Sequence, residues 1–440
     1  MAQRTELKIG IIGAGVTGMS AAWDLTRAGH EVTLYEAGNE VGGLAAGFRD
    51  ENWDWTLEKF YHHWFTTDKD ILKLIEEIGH GDKVIFPRPK TSYWIDGKVY
   101  RSEISPSALL LPLSLLSKLR FGLTGAYLKL TPFWKPLETV TAHEWMLKYM
   151  GEEAYNKFFR PLLIGKFGDR YKTVNMAWMW ARVVKRSLKL GTFTGGFQAL
   201  LDALAEAITS TGATIHLDTA VERIGSQDGK PTLTIRGETQ VFDQVIATIS
   251  PRLMLKLTDG LAETDYGRQM AQLESIGGLC VSLALKHQLM EDGTYWLNLP
   301  ALTADKSQNE FPFLALVEHT NFLSREHYGG DHIVYCGDYV PPDHEYFQLS
   351  EEALVERFLP ALKQVNPNFT ADWVRKWWVW RALYAQPVPG IDHSTRIPPL
   401  QTPLPGLVWA SMSQVYPWDR GTNYSVEMGR RVARMLMDRA

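Results

Sequence analysis

The feature that most constrains the fold of this 440-residue chain is a glycine-rich turn near its N-terminus. An apolar run, Ile9 to Ile12, predicts a buried strand, and Gly13, Gly15 and Gly18 follow it with the spacing G-x-G-x-x-G. The next residues, to about Ala28, predict a helix. A strand, a glycine-rich turn and a helix in this order are typical of a dinucleotide-binding site, because the helix N-terminus offers free N–H groups to phosphates.

A second apolar run, Val32 to Tyr35, ends at Glu36. An acidic side chain at this point can accept hydrogen bonds from the adenosine ribose hydroxyl groups, and it disfavours the 2′-phosphate of NADP. We expect Gly13 to permit the tight turn, Gly15 to let the backbone approach a pyrophosphate, and Gly18 to let the helix pack closely on the strand. The pattern therefore predicts a dinucleotide site, but it does not distinguish NAD from FAD.

The residues after Glu36 resemble a known superfamily. Gly42 and Gly43, in the segment EAGNEVGGLAAGF, are similar to the second glycine pair of the flavoproteins that include protoporphyrinogen oxidase, phytoene desaturase, monoamine oxidase and UDP-galactopyranose mutase. The resemblance implies FAD as the cofactor, with this pair beside its pyrophosphate. It also implies an α/β fold, in which a Rossmann-type FAD-binding domain is joined to a mixed α+β substrate domain (the amine oxidase and glutathione reductase-like FAD fold). Leu44 stands where many members carry arginine.

The C-terminal part of the chain resembles the segment that closes the FAD site in the same superfamily. Gly406 to Ser411 predicts a short strand, and Ser425 to Asp438 predicts a helix. The resemblance implies that the helix N-terminus faces the isoalloxazine, where its dipole stabilises negative charge. It also implies that the backbone near Val221 contacts adenine. The FAD-binding residues that the resemblance implies are Gly13, Ala14, Gly15, Val16, Thr17, Gly18, Glu36, Ala37, Gly42, Gly43, Leu44, Val221, Ser411, Met412, Arg420, Gly421, Thr422 and Asn423.

The resemblance covers essentially the whole chain and implies two domains. The FAD-binding domain is expected to be discontinuous, and it takes residues 1–90, 190–256 and 390–440. The substrate-binding domain, with a helical part and a sheet, takes residues 91–189 and 257–389.

Within the substrate domain, the sequence predicts both helices and strands. Residues 105–188 contain amphipathic runs typical of helices, and residues 278–386 contain apolar runs typical of strands. Tyr93 to Tyr100 predicts a β-hairpin around an Asp-Gly turn. The run Val374 to Tyr384 predicts a strand with large aromatic rings on both faces, which serve either core packing or a substrate cavity.

Composition excludes several classes of function. Charged residues make up 22% of the chain and the formal net charge is −4, so nothing favours nucleic-acid binding. Two cysteines provide neither a disulfide framework nor a metal site. The N-terminal residues do not resemble a signal peptide, so we expect the protein to be cytoplasmic. The apolar run Leu109 to Leu116 is too short to span a bilayer, which predicts a buried or interfacial helix. Peripheral contact of Ala108 to Leu130 with the inner face of a membrane is left open.

Two adjacent histidines are the candidate catalytic residues. The segment Glu58 to Phe65 falls where members of the superfamily run beside the flavin. At that place His62 and His63 can exchange a proton near neutral pH or hydrogen-bond flavin N5, and the alternative is a structural role. The candidate substrate residues are Tyr384, Gln386, Tyr416 and Trp418.

The resemblance implies an FAD-dependent oxidoreductase of the protoporphyrinogen oxidase and desaturase type. Such an enzyme takes a hydride from a small molecule that is apolar or ring-bearing. The chain has no second G-x-G-x-x-G, so we expect the electrons to leave the flavin to oxygen, a quinone or the substrate itself.

Three alternatives remain open. A UDP-galactopyranose mutase-like enzyme without net redox would bind a nucleotide diphosphate through arginines, and candidates in the corresponding region are Arg160, Arg170, Arg182 and Arg186. Surface charge on amphipathic helices is the favoured interpretation of these four. An amine oxidase is disfavoured, because its flavin-bridging lysine would fall near Cys280, and Lys286 lies several residues later. The third alternative is a non-enzymatic flavoprotein.

Overall fold

The structure, a computed structural model, describes residues 6–101 and 111–438. The strands are β1 Lys8–Ile12, β2 Glu31–Tyr35, β3 Gly47–Phe48, β4 Leu57–Glu58, β5 Trp64–Phe65, β6 Val84–Ile85, β7 Lys90–Ile95, β8 Lys98–Arg101, β9 Leu190–Phe193, β10 Thr214–His216, β11 Val221–Gln227, β12 Lys230–Ile235, β13 Glu238–Val241, β14 Gln244–Ala247, β15 Ser275–Leu285, β16 Thr294–Asn298, β17 Ala315–Glu318, β18 His332–Val340, β19 Val374–Pro387 and β20 Leu407–Trp409. The α-helices are α1 Val16–Arg27, α2 Lys69–Glu77, α3 Leu115–Leu130, α4 Ala142–Met150, α5 Glu152–Ala154, α6 Arg160–Phe167, α7 Met176–Lys185, α8 Phe197–Ser210, α9 Pro251–Leu257, α10 Asp265–Ala271, α11 Glu351–Val365, α12 His393–Arg396 and α13 Thr422–Met437.

A parallel sheet carries the glycine-rich turn. Its strand order is β10-β2-β1-β14-β20, and the neighbouring strands are parallel throughout. Helix α13 packs tightly against α1, since a Cβ added to Gly429 would lie 2.4 Å from the Thr17 carbonyl oxygen. Because parallel strands end at the same edge of a sheet, the ends of β1 and β2 place the glycine-rich turn and Glu36 side by side.

A second, mixed sheet has the order β19-β15-β18-β17-β16-β7-β8. Helix α11 packs on this sheet, and Phe358 of the helix shares a core with the half-buried Trp377 of β19. On the other side, Trp378 and Trp380 contact Phe48, with ring centroids 5.0 and 4.7 Å apart. The structure therefore confirms that β19 carries rings on both faces, and these rings pack within hydrophobic cores.

The predicted hairpin and C-terminal helix are confirmed with adjusted ends. Strands β7 and β8 meet at Asp96 and Gly97, which have φ values of 51° and 74°. These left-handed conformations match the twist that a two-residue hairpin needs. The C-terminal helix begins at Thr422, three residues before the predicted start at Ser425.

The predicted helix over Leu109 to Leu116 is wrong for residues 111–114 and holds only for the last two residues. Residues 109 and 110 lie outside the described residues, and residues 111–113 form bends. Helix α3 begins only at Leu115, because the Ser114 hydroxyl caps it by accepting a hydrogen bond from the Ser117 N–H at 3.3 Å.

Helix α7 carries side chains toward the site described below. The Asn175 side chain caps it by accepting a hydrogen bond from the Trp178 N–H at 3.0 Å. Trp178 and Arg182 are four residues apart on the helix, and Arg186 follows the last turn. Residues spaced by four lie on one helix face, so this part of α7 presents an aromatic ring and cations together.

Candidate flavin and substrate site

The turn after β1 has the geometry of a phosphate cradle. Gly13 has a φ of 98°, and a Cβ added there would lie 2.7 Å from Thr248 Oγ1. A Cβ on Gly18 would lie 2.2 Å from the Gly13 carbonyl oxygen, so α1 packs on the turn only through glycine. A Cβ on Gly15 would meet only the Gly42 carbonyl oxygen, at 4.0 Å. The space in front of Gly15 is therefore open, at a helix N-terminus without a side-chain cap.

Glu36 has a role that the sequence analysis missed. Its Oε2 accepts a hydrogen bond from the Ala14 N–H at 2.9 Å, and its Oε1 accepts one from the Gly38 N–H at 2.8 Å. The carboxylate thus fixes the turn, and its remaining lone pairs are still available to ribose hydroxyl groups. Ala37 is exposed beside it, whereas the Val221 side chain is buried in a hydrophobic core.

Gly42 and Gly43 lie against this turn. The Gly42 N–H donates to the Ala14 carbonyl oxygen at 2.9 Å, and Gly15 and Gly42 form a parallel β-bridge. The φ values of Gly42 and Gly43 are 116° and 59°. Leu44 follows as a half-buried residue. The two glycine motifs therefore form one backbone surface, free of side chains, that a pyrophosphate can approach.

The N-terminus of α13 provides a further open position. Gly421 has no side-chain cap, and a Cβ added to it would meet no atom within 4 Å. Thr422 Oγ1 accepts a hydrogen bond from Trp64 Nε1 at 2.8 Å. Asn423 Oδ1 accepts one from the Asp70 N–H at 2.9 Å, so this side chain caps α2. Thr422 and Asn423 thus hold neighbouring elements, while the backbone at Gly421 stays open.

The two predicted catalytic histidines are half-buried and neutral. His62 Nδ1 hydrogen-bonds the Phe60 carbonyl oxygen, and His63 Nδ1 is buried without a partner among the described residues. Burial, assisted by the nearby Arg420, lowers the pKa of His62 to about 4. Burial, assisted by Arg186, lowers the pKa of His63 to about 3. Neither imidazole therefore carries a charge at neutral pH.

Three of the predicted substrate residues, Gln386, Tyr416 and Trp418, line one cavity together with Met412 and Arg420. The same cavity is lined by residues that the sequence analysis did not select, namely Trp178, Pro387, Pro389, His393, Val415 and Asp419.

Tyr384 has a different position from the other predicted substrate residues. Its hydroxyl hydrogen-bonds the hydroxyl groups of Ser411 and Ser413, both at 2.6 Å. The Ser413 N–H also donates to the Tyr384 hydroxyl at 3.1 Å. This network fixes the loop that follows β20, and it brings Ser411 close to the end of β19.

Asp419 organises the polar side of the cavity. It accepts hydrogen bonds from Trp178 Nε1 at 3.2 Å and from Gln386 Nε2 at 3.3 Å, and it forms an ion pair with Arg182. Burial alone would raise the pKa of Asp419, but Lys166 and Arg182 outweigh burial and lower this pKa well below its ordinary range. The carboxylate is therefore ionised, and it orients side chains from α7, β19 and the loop before α13.

The four arginines considered for a nucleotide diphosphate divide into two pairs. Arg182 and Arg186 lie close enough to His63 to lower its pKa, in addition to the larger effect of burial. Arg170 forms an ion pair on the surface, and Arg160 is exposed. The interpretation as surface charge therefore fits Arg160 and Arg170, whereas Arg182 and Arg186 lie near His63.

The position expected for the flavin-bridging lysine of amine oxidases holds Cys280, and the nearest lysine along the chain, Lys286, does not line this cavity. Lys286 is exposed at the end of β15, where its Nζ donates to the Asp372 carbonyl oxygen at 2.7 Å. Cys280 is fully buried in β15, and burial raises the pKa of its thiol far above the ordinary value.

The polar atoms around the cavity fit a bound heterocyclic cofactor. Two residues that line the cavity carry a buried atom without a hydrogen-bond partner among the described residues, Gln386 Oε1 and Arg420 Nε, and the hydroxyl of Tyr424, whose ring stacks on Trp418, is a third such atom. Buried polar groups are nearly always hydrogen-bonded, so such a group of atoms indicates a missing ligand. With the open backbone at Gly15 and Gly421, they suit FAD, which supplies a polar ring system and a pyrophosphate and accepts a hydride when bound.

Comparison with known proteins agrees with this geometry. The profile of the family described as flavin containing amine oxidoreductase matches residues 16–437. The chain is 23% identical over 394 residues to 15-cis-phytoene desaturase of Glycine max, a match that covers 82% of this chain and 66% of that enzyme.

Among solved structures, the Putative protoporphyrinogen oxidase from Exiguobacterium sp. 255-15 has a TM-score of 0.78 and 18% identity, covering 99% of this chain and 100% of that one. Reduced UDP-galactopyranose mutase has a TM-score of 0.76 and 18% identity, covering 99% of this chain and 95% of that one. At these identities the likeness shows a shared fold, and it confirms the expected α/β flavoenzyme architecture.

The family profile, together with the fold and the cradle, defines a member of a flavin-dependent oxidoreductase family. The chain belongs to the flavin containing amine oxidoreductase family, and its cofactor is FAD, as the second glycine pair implied. The roles of individual residues toward FAD and substrate stay predictions.

Proposed function

We propose that the protein removes a hydride from a ring-bearing small molecule, in the manner of a protoporphyrinogen oxidase or desaturase. The observation that carries this proposal is the set of aromatic rings beside His63 and along the cavity. Trp296 contacts Tyr61 with ring centroids 4.9 Å apart, and it contacts His63 at 6.1 Å. Trp418 stacks on Tyr424 with the ring planes 10° apart. Aromatic faces of this kind favour substrates with rings or conjugated bonds.

In this proposal the histidines act as neutral imidazoles. The hydrogen bond to the Phe60 carbonyl requires a proton on Nδ1 of His62, which leaves Nε2 as an acceptor. The other imidazole, His63, has a buried nitrogen without a partner. One of the two would accept the proton that the substrate loses together with the hydride, and the electrons would pass finally to oxygen or a quinone.

Anaerobic reduction of the FAD-loaded enzyme tests this proposal. Porphyrinogens, polyenes, amines and sugar nucleotides are added separately without oxygen, and the visible absorbance of the flavin is followed. We expect a ring-bearing compound to bleach the flavin. A panel in which no compound bleaches it would contradict the proposal.

Replacing His63 by alanine is expected to slow flavin reduction by roughly 100-fold, as for the loss of a positioned proton-transfer group. Because burial and then Arg186 lower the pKa of His63 to about 3, its protonation should cause no change in the wild-type rate between about pH 5 and 8. Stopped-flow absorbance measures the rate of flavin reduction in the variant and the pH dependence of this rate in the wild type. His287→Ala is the matched control, since His287 is exposed beyond β15. An unchanged rate in His63→Ala would exclude His63 from proton transfer.

A sugar-nucleotide mutase without net redox is the second candidate, and the position of Arg182 and Arg186 near His63 favours it. Such an enzyme needs a reduced flavin and forms no oxidised product. Conversion of a UDP-sugar by the pre-reduced enzyme alone would support this candidate. A UDP-sugar that changes neither the flavin fluorescence nor the melting temperature would exclude it.

We propose further that the two large sheets mark the two expected domains. Strands of the parallel sheet come from residues 1–90, 190–256 and 390–440. Apart from Lys90 at the start of β7, the strands of the mixed sheet come from residues 91–189 and 257–389. FAD would then lie on the parallel sheet, and the substrate would enter beside β19 and α7.

We also propose that α3 forms a peripheral membrane-contact surface at the cytoplasmic face. Its apolar side chains repeat every three or four residues and are strongly exposed: Leu116 by 67%, Leu119 by 59%, Leu123 by 64% and Leu130 by 80%. On the opposite side, Thr124 and Leu128 are buried.

The charge of α3 favours an anionic lipid surface. The helix carries Lys118, Arg120 and Lys129, and its sequence contains no acidic residue. Anionic lipids of the cytoplasmic leaflet attract such basic segments by about 1 kcal/mol per cation. No helix in residues 6–101 or 111–438 is long and apolar enough to cross a membrane.

Serine at Leu116, Leu119 and Leu123 together is expected to weaken vesicle binding by about 1,000-fold or more, because each leucine buried in lipid contributes at least about 1.5 kcal/mol. Co-sedimentation with vesicles of phosphatidylglycerol and phosphatidylcholine measures the affinity of each protein for the membrane. Leu302→Ser is the matched control, since Leu302 is 72% exposed and lies outside α3. Wild-type protein that stays in the supernatant, or a triple variant that sediments with the vesicles, would contradict this surface.

A further inference from the structure

We infer that the substrate carries an anionic group, a carboxylate or a phosphate, and that Lys166, Arg182 and Arg186 bind this group beside the substrate cavity. The inference rests on the proposed function, because it names the substrate class for the same site. It narrows the expected apolar or ring-bearing substrate to a ring-bearing acid. The evidence for an anionic substrate is the arrangement of cations around Trp178 and Tyr339.

Lys166 is a buried lysine whose charged neighbour is Asp419, close enough to oppose the lowering of the Lys166 pKa. The residue is 8% exposed, near the end of α6, and no hydrogen bond or ion pair within the described residues involves its ammonium group. Its Nζ lies 4.5 Å from the centroid of the Tyr339 ring and 5.4 Å from that of Trp178. Burying an unpaired ammonium costs several kcal/mol, of the order of the penalty for any buried ion. Asp419 offsets part of this cost through its charge, but the described residues supply no hydrogen-bond acceptor to the ammonium group.

Arg182 approaches the same indole. Its Cζ lies 4.9 Å from the centroid of the Trp178 ring, and its guanidinium pairs with Asp419. Asp419 is also the carboxylate that faces Lys166 and Arg420. One carboxylate thus faces three cations, so the cluster keeps a net positive charge that favours an anion.

Arg186 extends this cluster toward the histidines. It lies close enough to lower the pKa of His63, after the larger effect of burial, and it opposes the rise that burial causes in the pKa of Tyr93. No ion pair in the described parts of the chain involves its guanidinium. An anion held between Lys166 and Arg186 would place the attached ring beside His63.

The balance of solvation decides between an apolar and an anionic substrate. A hydrocarbon in this cavity would strip water from the cations and offer them nothing in return. A carboxylate or phosphate would supply charge-assisted hydrogen bonds to the ammonium and guanidinium groups, which are about twice as strong as neutral ones. Burial, and to a smaller extent Arg182, lowers the pKa of Lys166 well below its ordinary range. A bound anion would favour the charged form of this side chain again.

Titration of the FAD-loaded enzyme with inorganic phosphate, inorganic pyrophosphate and succinate tests the inference. We expect saturable binding, read as heat and as a shift of the flavin spectrum, and the tighter class of probe identifies the phosphate or the carboxylate. In Lys166→Met the affinity should fall about tenfold to 100-fold, as for the loss of one charge-assisted hydrogen bond. The variant is expected to fold, because methionine replaces an unpaired buried charge.

Lys172→Met is the matched control, since Lys172 is exposed beyond α6, and its anion affinity should equal that of the wild type. Anion binding should take up protons in the wild type and not in Lys166→Met, a difference that a purely structural role would not produce. Equal affinities of wild type and Lys166→Met, or no saturable binding by the wild type, would overturn the inference. Loss of FAD affinity in Lys166→Met would also overturn it, because the cluster would then serve the cofactor.

The inference and the proposed function fail separately. Flavin bleaching by a neutral ring compound, with no anion binding, would retain the oxidoreductase and reject the anion site. Saturable anion binding that Lys166→Met weakens, with no bleaching by any compound of the panel, would retain the site and reject hydride transfer.

Discussion

Valine in place of Gly15 is expected to abolish FAD binding while the apoprotein stays as stable as the wild type. The backbone of Gly15 has a φ of −74° and a ψ of 174°, which any residue can adopt. Within the protein, an added Cβ would meet only the Gly42 carbonyl oxygen at 4.0 Å. A pyrophosphate that contacts this backbone would instead meet the valine methyl groups. We expect the affinity for FAD to fall by about 1,000-fold or more, equivalent to roughly 4 kcal/mol.

Gly18→Ala is the matched contrast for this prediction. Its Cβ would lie 2.2 Å from the Gly13 carbonyl oxygen and 3.2 Å from Ile11 Cγ2, so α1 must move away from β1. We expect the apoprotein to lose about 1–3 kcal/mol of stability from this overpacking. Flavin content after purification and thermal unfolding of the apoprotein separate the two effects. A Gly15→Val protein that retains FAD would contradict the cradle.

Glutamine in place of Glu58 is expected to stabilise the protein at alkaline pH. The Glu58 side chain is buried, and its Oε1 accepts a hydrogen bond from the Phe197 N–H at 3.0 Å. Tyrosines Tyr295, Tyr328 and Tyr335 lie close enough to feel its charge. Burial outweighs the backbone hydrogen bonds and raises the pKa of Glu58 from 4.5 to about 7. The folded protein therefore holds a proton that the unfolded chain releases.

The sign of the pH dependence follows from these two pKa values. Between pH 4.5 and about 7 the unfolded state loses the proton of Glu58 first, so the free energy of unfolding falls as the pH rises. The total loss is about 3 kcal/mol, and Glu58→Gln should regain it above the folded pKa while matching the wild type below pH 4.5. Urea unfolding at several pH values measures the difference. Glu51→Gln, at an exposed position, is the control. If the free energy of unfolding depends on pH equally in the wild type and in Glu58→Gln, the buried carboxyl group does not make this contribution.

The cradle could be predicted from the sequence because its chemistry is local. The roles of Gly13, Gly15 and Gly18 depend on one strand, one turn and one helix, and their spacing specifies all three. The family resemblance, and not the spacing, suggested that Gly42 lies beside the cofactor pyrophosphate, and in the structure the Gly42 N–H donates to the Ala14 carbonyl oxygen of the turn. The double hydrogen bond of Glu36 to the backbone was missed, since an acid at a strand end predicts a ribose contact more readily than a turn anchor.

The cation cluster could not be predicted, because its members come from separate elements. Lys166 lies on α6, Arg182 on α7 and Asp419 before α13, and only tertiary packing brings them around Trp178. Each residue alone reads as ordinary charge on an amphipathic surface. The aromatic composition of a segment therefore suggested an apolar or ring-bearing substrate, whereas the packed structure brings Lys166 and Arg182 over the ring of Trp178, which lines the cavity.

The start of α3 shows how local capping can override an apolar run. Residues 109–116 look helical by hydrophobicity, but Pro112 interrupts the run and Ser114 caps the helix after it. The exposed leucines of α3 are a second property that periodicity alone left undecided, because an amphipathic pattern does not say whether its apolar face meets the core or the outside.

The most direct test of the central claim, hydride removal by the FAD-loaded enzyme, is the electron balance of a single anaerobic turnover. Oxidised enzyme is mixed with one equivalent of a ring-bearing acid, and flavin absorbance and product are measured together. We predict one molecule of product, oxidised by two electrons, for every flavin that is bleached. A product that is only rearranged, formed while the flavin keeps its initial redox state, would contradict the account.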